Sequence, residues 1–245
     1  VISFAQLQAH QSLPNADRPQ YSCRTHLNLY KSPALEGLVT QAAAGRYLRV
    51  VPLSEAEQGT TPAAIAVCLC EDDYPGWLAI ADLEQLDIAD PPYQPVSLSE
   101  AEIRKRVQGA IAFAEAAMAR PNQYLWGGTV APDYDCSGLV QAAFADVGIW
   151  LPRDAYQQEG FTQAISSSEL LPGDLVFFGP PAKATHVGLY LGESCYIHSS
   201  GKDQGRNGIG IDRLSESGDR VSQAYFAQRR GAGRIVACYQ PASCT

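Results

Sequence analysis

Residues 124–140 read YLWGGTVAPDYDCSGLV, and the fold turns on how that stretch ends. Gly127, Gly128 and Pro132 keep its middle out of regular structure, while Leu139, Val140, Ala143, Phe144 and Val147 recur at spacings of three and four. That recurrence is the apolar stripe of an amphipathic helix, closed by Gly148 where a left-handed residue ends the last turn. Cys136 therefore stands at a helix start. Unpaired N–H groups and the positive dipole end favour a thiolate there, against a free thiol pKa of about 8.5. The same amides can form part of an oxyanion hole. Asp135 and Ser137 on either side are unusual neighbours for an apolar buried cysteine, so the sulfur is expected to face solvent and to meet an imidazole.

Working outward, SLSEAEIRKRVQGAIAFAEAAMARP (97–121) carries a capping box from Ser99 to Glu102, apolar residues at 103, 107, 110, 111, 114 and 118, and a stop at Pro121. It predicts a second amphipathic helix. Downstream come three strand-like runs: DLVFFG (174–179), HVGLYLG (186–192) and CYIHSS (195–200). Helices followed by an antiparallel sheet make an α+β domain. Prolines 91, 92 and 95 in DIADPPYQPVSLSEAE mark a linker near 90–98. Ahead of it, THLNLY (25–30), RYLRVVPL (46–53) and AIAVCLC (64–70) predict a small β barrel or sandwich with little sustained helix before residue 80. The expected domains are residues 1–92 and 98–245.

Composition narrows the function. The net charge of −8 argues against nucleic acid, and the dense basic group Arg229, Arg230 and Arg234 reads as a solvated edge. No apolar run approaches the roughly 18 residues of a membrane span, so no membrane partner is expected. Seven scattered cysteines, an odd number, do not make a disulfide framework, and Cys68 and Cys70, sharing a strand face, lack the second cluster a zinc site needs. No secretory leader pattern opens the chain, which points to the cytoplasm, or to the periplasm or wall if a leader was removed.

The four histidines supply a geometric test. His186 and His198 are centred on Gly192, so a hairpin turning there places them directly opposite each other on one face, with Cβ atoms roughly 4.5–5.5 Å apart. A loop of three or five residues gives that register; two or four would split the pair between faces. His10 and His26 receive no role. A thiol on a helix start, an imidazole base and a third polar group to orient it are what nucleophilic thiol catalysis requires.

Taken together, DCSGLV (135–140), PGDLVFF (172–178), THVGLYLG (185–192) and YIHSS (196–200) resemble the NlpC/p60 cell-wall cysteine peptidases, over about residues 98–240. The resemblance implies a papain-like α+β fold with Cys136 as nucleophile, His186 as general base and acid, and His198 orienting it. It also implies that the Tyr124 hydroxyl points toward the reaction centre, that Trp126 walls the cleft (core packing being the alternative), and that Asp135 and Ser137 line the substrate groove. Arg153 and Asp154 in LPRDA border that groove, with a structural salt bridge as the other reading. NLYKSP, GLVTQAAAG and EDDYPGWLAI resemble a bacterial SH3-like barrel, from which Tyr74 would reach over the active site.

The implied activity is hydrolysis of murein tri- and tetrapeptides at the γ-D-glutamyl to diamino-acid bond. Fragments with a free N-terminal L-alanine, its amine met by Asp135, would make this a cell-wall recycling enzyme, monomeric and without metal or cofactor. The alternatives are a transpeptidase or amidase on the same fold, and a wall-binding protein with an inactive site.

Overall fold

The computed structural model describes residues 1–52 and 62–242, and the chain divides into two compact units, Val1–Pro95 with Gln240–Thr245 and Val96–Tyr239. The division falls inside the proline-rich linker. The return of the C-terminal residues to the first unit was not foreseen; there the Ala242 N–H donates to Asp73 Oδ2 at 2.7 Å.

The first unit is a seven-stranded antiparallel sheet built from β1 (Tyr21–Cys23), β2 (Leu27–Tyr30), β3 (Leu38–Ala42), β4 (Tyr47–Val50), β5 (Ala64–Leu69), β6 (Pro75–Ala79) and β7 (Leu86–Ile88), in the order β3-β2-β6-β5-β4-β1-β7. The three strand-like runs became β2, β4 and β5; Leu53, the last residue of RYLRVVPL, lies outside the described residues. Alternation puts Leu27, Leu29, Leu48, Val50, Ile65, Val67 and Leu69 into one core. A helix not anticipated, α1 (Phe4–Gln11), opens the unit with a Ser3–Gln6 capping box and buries Leu7 in that core.

In the second unit α2 (Glu100–Met118) is capped by Ser99 and Glu102 as expected, and buries Ile103, Val107, Ala110, Ile111 and Ala114. After the short pair β8 (Thr129–Val130) and β9 (Asp133–Tyr134) comes α3 (Cys136–Asp146), which begins at Cys136, with Gly148 just beyond it at φ +75. A short helix α4 (Ala155–Phe161) follows. The sheet comprises β10 (Gln163–Ile165), β11 (Leu175–Phe178), β12 (His186–Gly192), β13 (Cys195–Ser200), β14 (Gly208–Arg213) and β15 (Arg229–Arg234), with α5 (Arg220–Phe226) between the last two. Its order is β10-β15-β11-β12-β13-β14, all antiparallel.

The basic group 229–234 is therefore no solvated edge: it is β15, paired on both sides by β10 and β11. Two of its arginines reach carboxylates, Arg230 on Glu159 and Arg234 on Asp174. Helices α2 and α3 pack together, and α3 lies on β12 and β13, where Leu175, Phe177, Val187, Leu189 and Ile197 join the helical core. The opposite sheet face gathers Val176, Phe178, Tyr190, Tyr196, Val221 and Tyr225. The six described cysteines are all free thiols.

Candidate active site

The loop before Cys136 is shaped by backbone contacts that leave no room for side chains. Gly127 sits at φ +80, and a Cβ on Gly138 would run into the Gly128 carbonyl oxygen. Asp135 is the N-cap of α3: its Oδ1 accepts the Gly138 N–H at 2.7 Å and its Oδ2 the Gly127 N–H at 2.8 Å. Arg153 closes on the same carboxylate with Nη1 at 3.0 Å and Nη2 at 2.6 Å, and also donates to Ser137 Oγ at 2.9 Å.

This changes three expectations. The polar neighbours of Cys136 mark a buried ion pair under the helix start, with Arg153 only 1 % exposed, so their presence says nothing about solvent access to the sulfur. Arg153 braces the site from within, the structural salt bridge rather than a groove border. Asp135 already has its charge balanced by Arg153 and both oxygens hydrogen-bonded, which weighs against the substrate amine expected there. Asp154, half-buried, caps α4.

Cys136 keeps 6 % of its surface and His186 8 %, whereas His198 keeps none. The site is nearly closed, and what opening it has lies at Cys136 and His186. Helix α3 packs on β12, and the Val187 amide of that strand acts to lower the Cys136 thiol. Burial pushes the thiol up to about 12, Asp135 adding to it, and the Val187 and Ser137 amides and Arg153 recover only part. Burial and the neighbouring His198 hold His186 well below its ordinary value. Burial thus favours the neutral thiol and the neutral imidazole, against the pull of the helix start toward the thiolate.

The hairpin carrying the histidines differs from the simple one in register. Glu193 and Ser194, both at positive φ, form a two-residue turn of the I′ kind, and an irregularity between Tyr190 and Gly192 inserts the extra residue that restores even parity. Tyr190 pairs with Tyr196 and Leu189 with Ile197, so His186 falls two residues out of register with His198 on the same face. The pair is diagonal, not directly opposed. Their rings still meet edge to face, with His186 Nε2 and His198 Nδ1 2.6 Å apart.

Tyr225 of α5 stacks on His186 at 4.2 Å between centroids and hydrogen-bonds Ser200 through its hydroxyl at 2.8 Å. Burial raises its phenol to about 12 and that of Tyr124 further still, with Cys136 contributing to both, so both hydroxyls stay protonated. Trp126 is 72 % exposed, which rules out core packing for it. Tyr74 belongs to the first unit and packs against that unit's core.

Sequence reasoning missed Asp212 and Arg206. Asp212 Oδ2 lies 2.6 Å from His198 Nε2, and Arg206 grips both carboxylate oxygens. The available signal was the run GIGID (208–212), an apolar alternation ending on an acid that its strand buries. Among the described residues, no group of three or more His, Cys, Asp or Glu is placed to hold a metal ion.

A thiol on a helix packed against an antiparallel sheet that carries a histidine relay defines the papain-like α+β architecture of thiol hydrolases. Residues 121–230 match the NlpC/P60 family, and residues 29–83 match the bacterial dipeptidyl-peptidase SH3 domain. The chain thus carries an NlpC/P60 domain over residues 121–230, with a bacterial SH3-type domain ahead of it over residues 29–83. It is 43 % identical over 105 residues to the bifunctional muramidase/DL-endopeptidase CwlT of Bacillus subtilis, covering 39 % of this chain and 32 % of that protein. It is 39 % identical over 79 residues to the murein DD-endopeptidase MepS/murein LD-carboxypeptidase of Escherichia coli K12, covering 32 % of this chain and 42 % of that protein. A solved NlpC/P60 family protein from Bacillus cereus shares 20 % identity over 89 % of this chain and 63 % of its own, at a TM-score of 0.43. The chain thus spans about a third and about two fifths of the length of these two curated relatives.

Proposed function

We propose that this protein is a cysteine endopeptidase that hydrolyses murein stem peptides at the γ-D-glutamyl to diamino-acid bond. The observation that carries the reading is the hydrogen-bonded set of His186, His198 and Asp212 on the sheet against which α3, with Cys136 at its start, is packed. The names of the relatives, a DL-endopeptidase and a murein DD-endopeptidase, support the substrate class and differ on the bond.

In the proposed reaction the Cys136 sulfur attacks the γ-carbonyl of D-glutamate as its proton passes to His186. The Tyr124 O–H, kept protonated by burial, is a donor offered to the oxyanion, the Gly138 amide being occupied by Asp135. His186 then protonates the leaving amine, freeing the diamino acid and leaving an acyl-enzyme. Water, losing a proton to His186, adds to the thioester carbonyl; the sulfur leaves and is reprotonated. Because both resting groups are neutral, proton transfer accompanies attack.

Mass spectrometry of the products from L-Ala-γ-D-Glu-meso-diaminopimelate tests this. Release of free diaminopimelate and L-Ala-D-Glu, absent with Cys136→Ala, is expected. Cleavage at another bond, or none, overturns the reading. The same peptide on muramic acid tests the demand for a free amine: cleavage of the free peptide alone assigns the enzyme to recycling of released fragments, and equal cleavage of both removes that role. Capture of the acyl group by added amines faster than by water would identify a transpeptidase.

A further inference from the structure

A neutral imidazole carries one N–H and one lone pair, so in two bonded rings the proton on one fixes the proton on the other. The outer end of this chain is Asp212 on β14. Its Oδ2 lies 2.6 Å from His198 Nε2 and 3.2 Å from Arg206 Nε, its Oδ1 is 2.5 Å from Arg206 Nη2, and Ser222 Oγ donates to Oδ1 at 3.2 Å. Asp219, the N-cap of α5, is a further negative charge near this group. Burial works to raise the Asp212 carboxyl, but His198 and the Arg206 guanidinium outweigh it and hold it below its ordinary range.

An ionised carboxylate only accepts. His198 Nε2 must therefore carry the N–H, which leaves its Nδ1 as a lone pair. That lone pair faces His186 Nε2 at 2.6 Å, so Nε2 of His186 must donate, and its own lone pair is left on Nδ1.

We infer that Asp212, clamped by Arg206, is a positioning residue that fixes the tautomers of His198 and His186 together and so makes Nδ1 of His186 the base that serves Cys136. The strand is built for the clamp. Gly210 pairs directly with His198, and a Cβ on it would come within 2.7 Å of Arg206 Cζ, so the guanidinium crosses β14 at the one residue type that leaves space for it. Tyr225, stacked on His186, holds the ring plane that the hydrogen bonds require.

The geometry of this inference stands alone; its kinetic consequence rests on the endopeptidase reading above. The experiment is nitrogen-15 NMR of the histidine rings in the full chain, wild type and Asp212→Asn, with kcat and KM on L-Ala-γ-D-Glu-meso-diaminopimelate. In the wild type both rings should show Nε2–H and a bare Nδ1. In D212N, Arg206 retains the amide oxygen and the NH₂ turns to His198 Nε2, forcing that nitrogen to accept. Both tautomers then reverse, His186 Nδ1 carries a proton, and kcat falls by about 10²–10⁴, the scale seen when a triad carboxylate becomes an amide, with KM unchanged. A wild-type His198 with its proton on Nδ1 overturns the inference, as does a folded D212N with wild-type tautomers or wild-type kcat. Should D212N not fold, the wild-type spectrum alone decides. Should the wild type leave the peptide uncut, the proposed reaction fails while the tautomers still decide this assignment.

Discussion

Two influences meet on the Cys136 sulfur: the positive end of a helix favours the thiolate, and removal from water favours the thiol. In this closed site burial wins, and the thiol is pushed up to about 12. Alkylation by iodoacetamide should accordingly be slow at about pH 6.5 and climb through pH 9 without a plateau near neutrality. A plateau between about pH 6 and 7 would reveal a resting thiolate–imidazolium pair and refute the neutral one. Arg153 belongs to the same scale. It is 1 % exposed, and its removal leaves the Asp135 carboxylate buried and uncompensated beside Cys136. Arg153→Met should cost about 3–5 kcal/mol in urea unfolding, and Arg153→Lys should recover only part, because one ammonium cannot replace the two-pronged contact. A loss under about 1 kcal/mol would show that water reaches the carboxylate.

At the scale of elements, the start of α3 is fixed by backbone proximity as much as by its cap. The Asp135 N–H donates to the Gly128 oxygen, and Gly138 sits where any side chain would strike that same oxygen. Gly138→Ala, a change that favours most helices, should here destabilise the fold by about 1–3 kcal/mol and depress activity further through a displaced Cys136. Differential melting and kcat measured side by side check it; a stabilised, fully active variant would mean the loop yields at no cost. The hairpin shows what sequence does and does not disclose. Even spacing of His186 and His198 about Gly192 fixed their common face, because parity survives any shift by two. Register did not follow, since a two-residue turn plus one inserted residue near Gly192 mimics a three-residue loop. Periodicity exposed α2 and α3, each with a long apolar stripe, while α4 and α5, seven residues each, offered less than two full turns. Asp212 was hidden for another reason: its partners, Arg206, Ser222 and His198, converge only once β13 and β14 pair.

For the whole molecule, the papain-like unit carries its relay through its interior, and this ties stability to pH. His186 and His198 are buried neutral, with folded-state values below the roughly 6.5 of an unfolded histidine. Below that value the unfolded chain binds protons that the folded chain refuses, so stability rises with pH there. The contribution is complete above about pH 7 and is lost as pH falls from about 6.5 toward the folded values. Asp212, held below its ordinary range, adds a second loss in the same direction below about pH 4. Urea midpoints for this unit, followed through Trp126 and Trp150 with Trp77 of the other unit changed to phenylalanine, should therefore drop between about pH 7.5 and 5.5. His198→Gln removes one of the two titrating rings and should flatten that slope even where it lowers stability overall. A midpoint constant across the interval would mean that the rings accept a proton within the fold, and the neutral base assigned to His186 would fail with it.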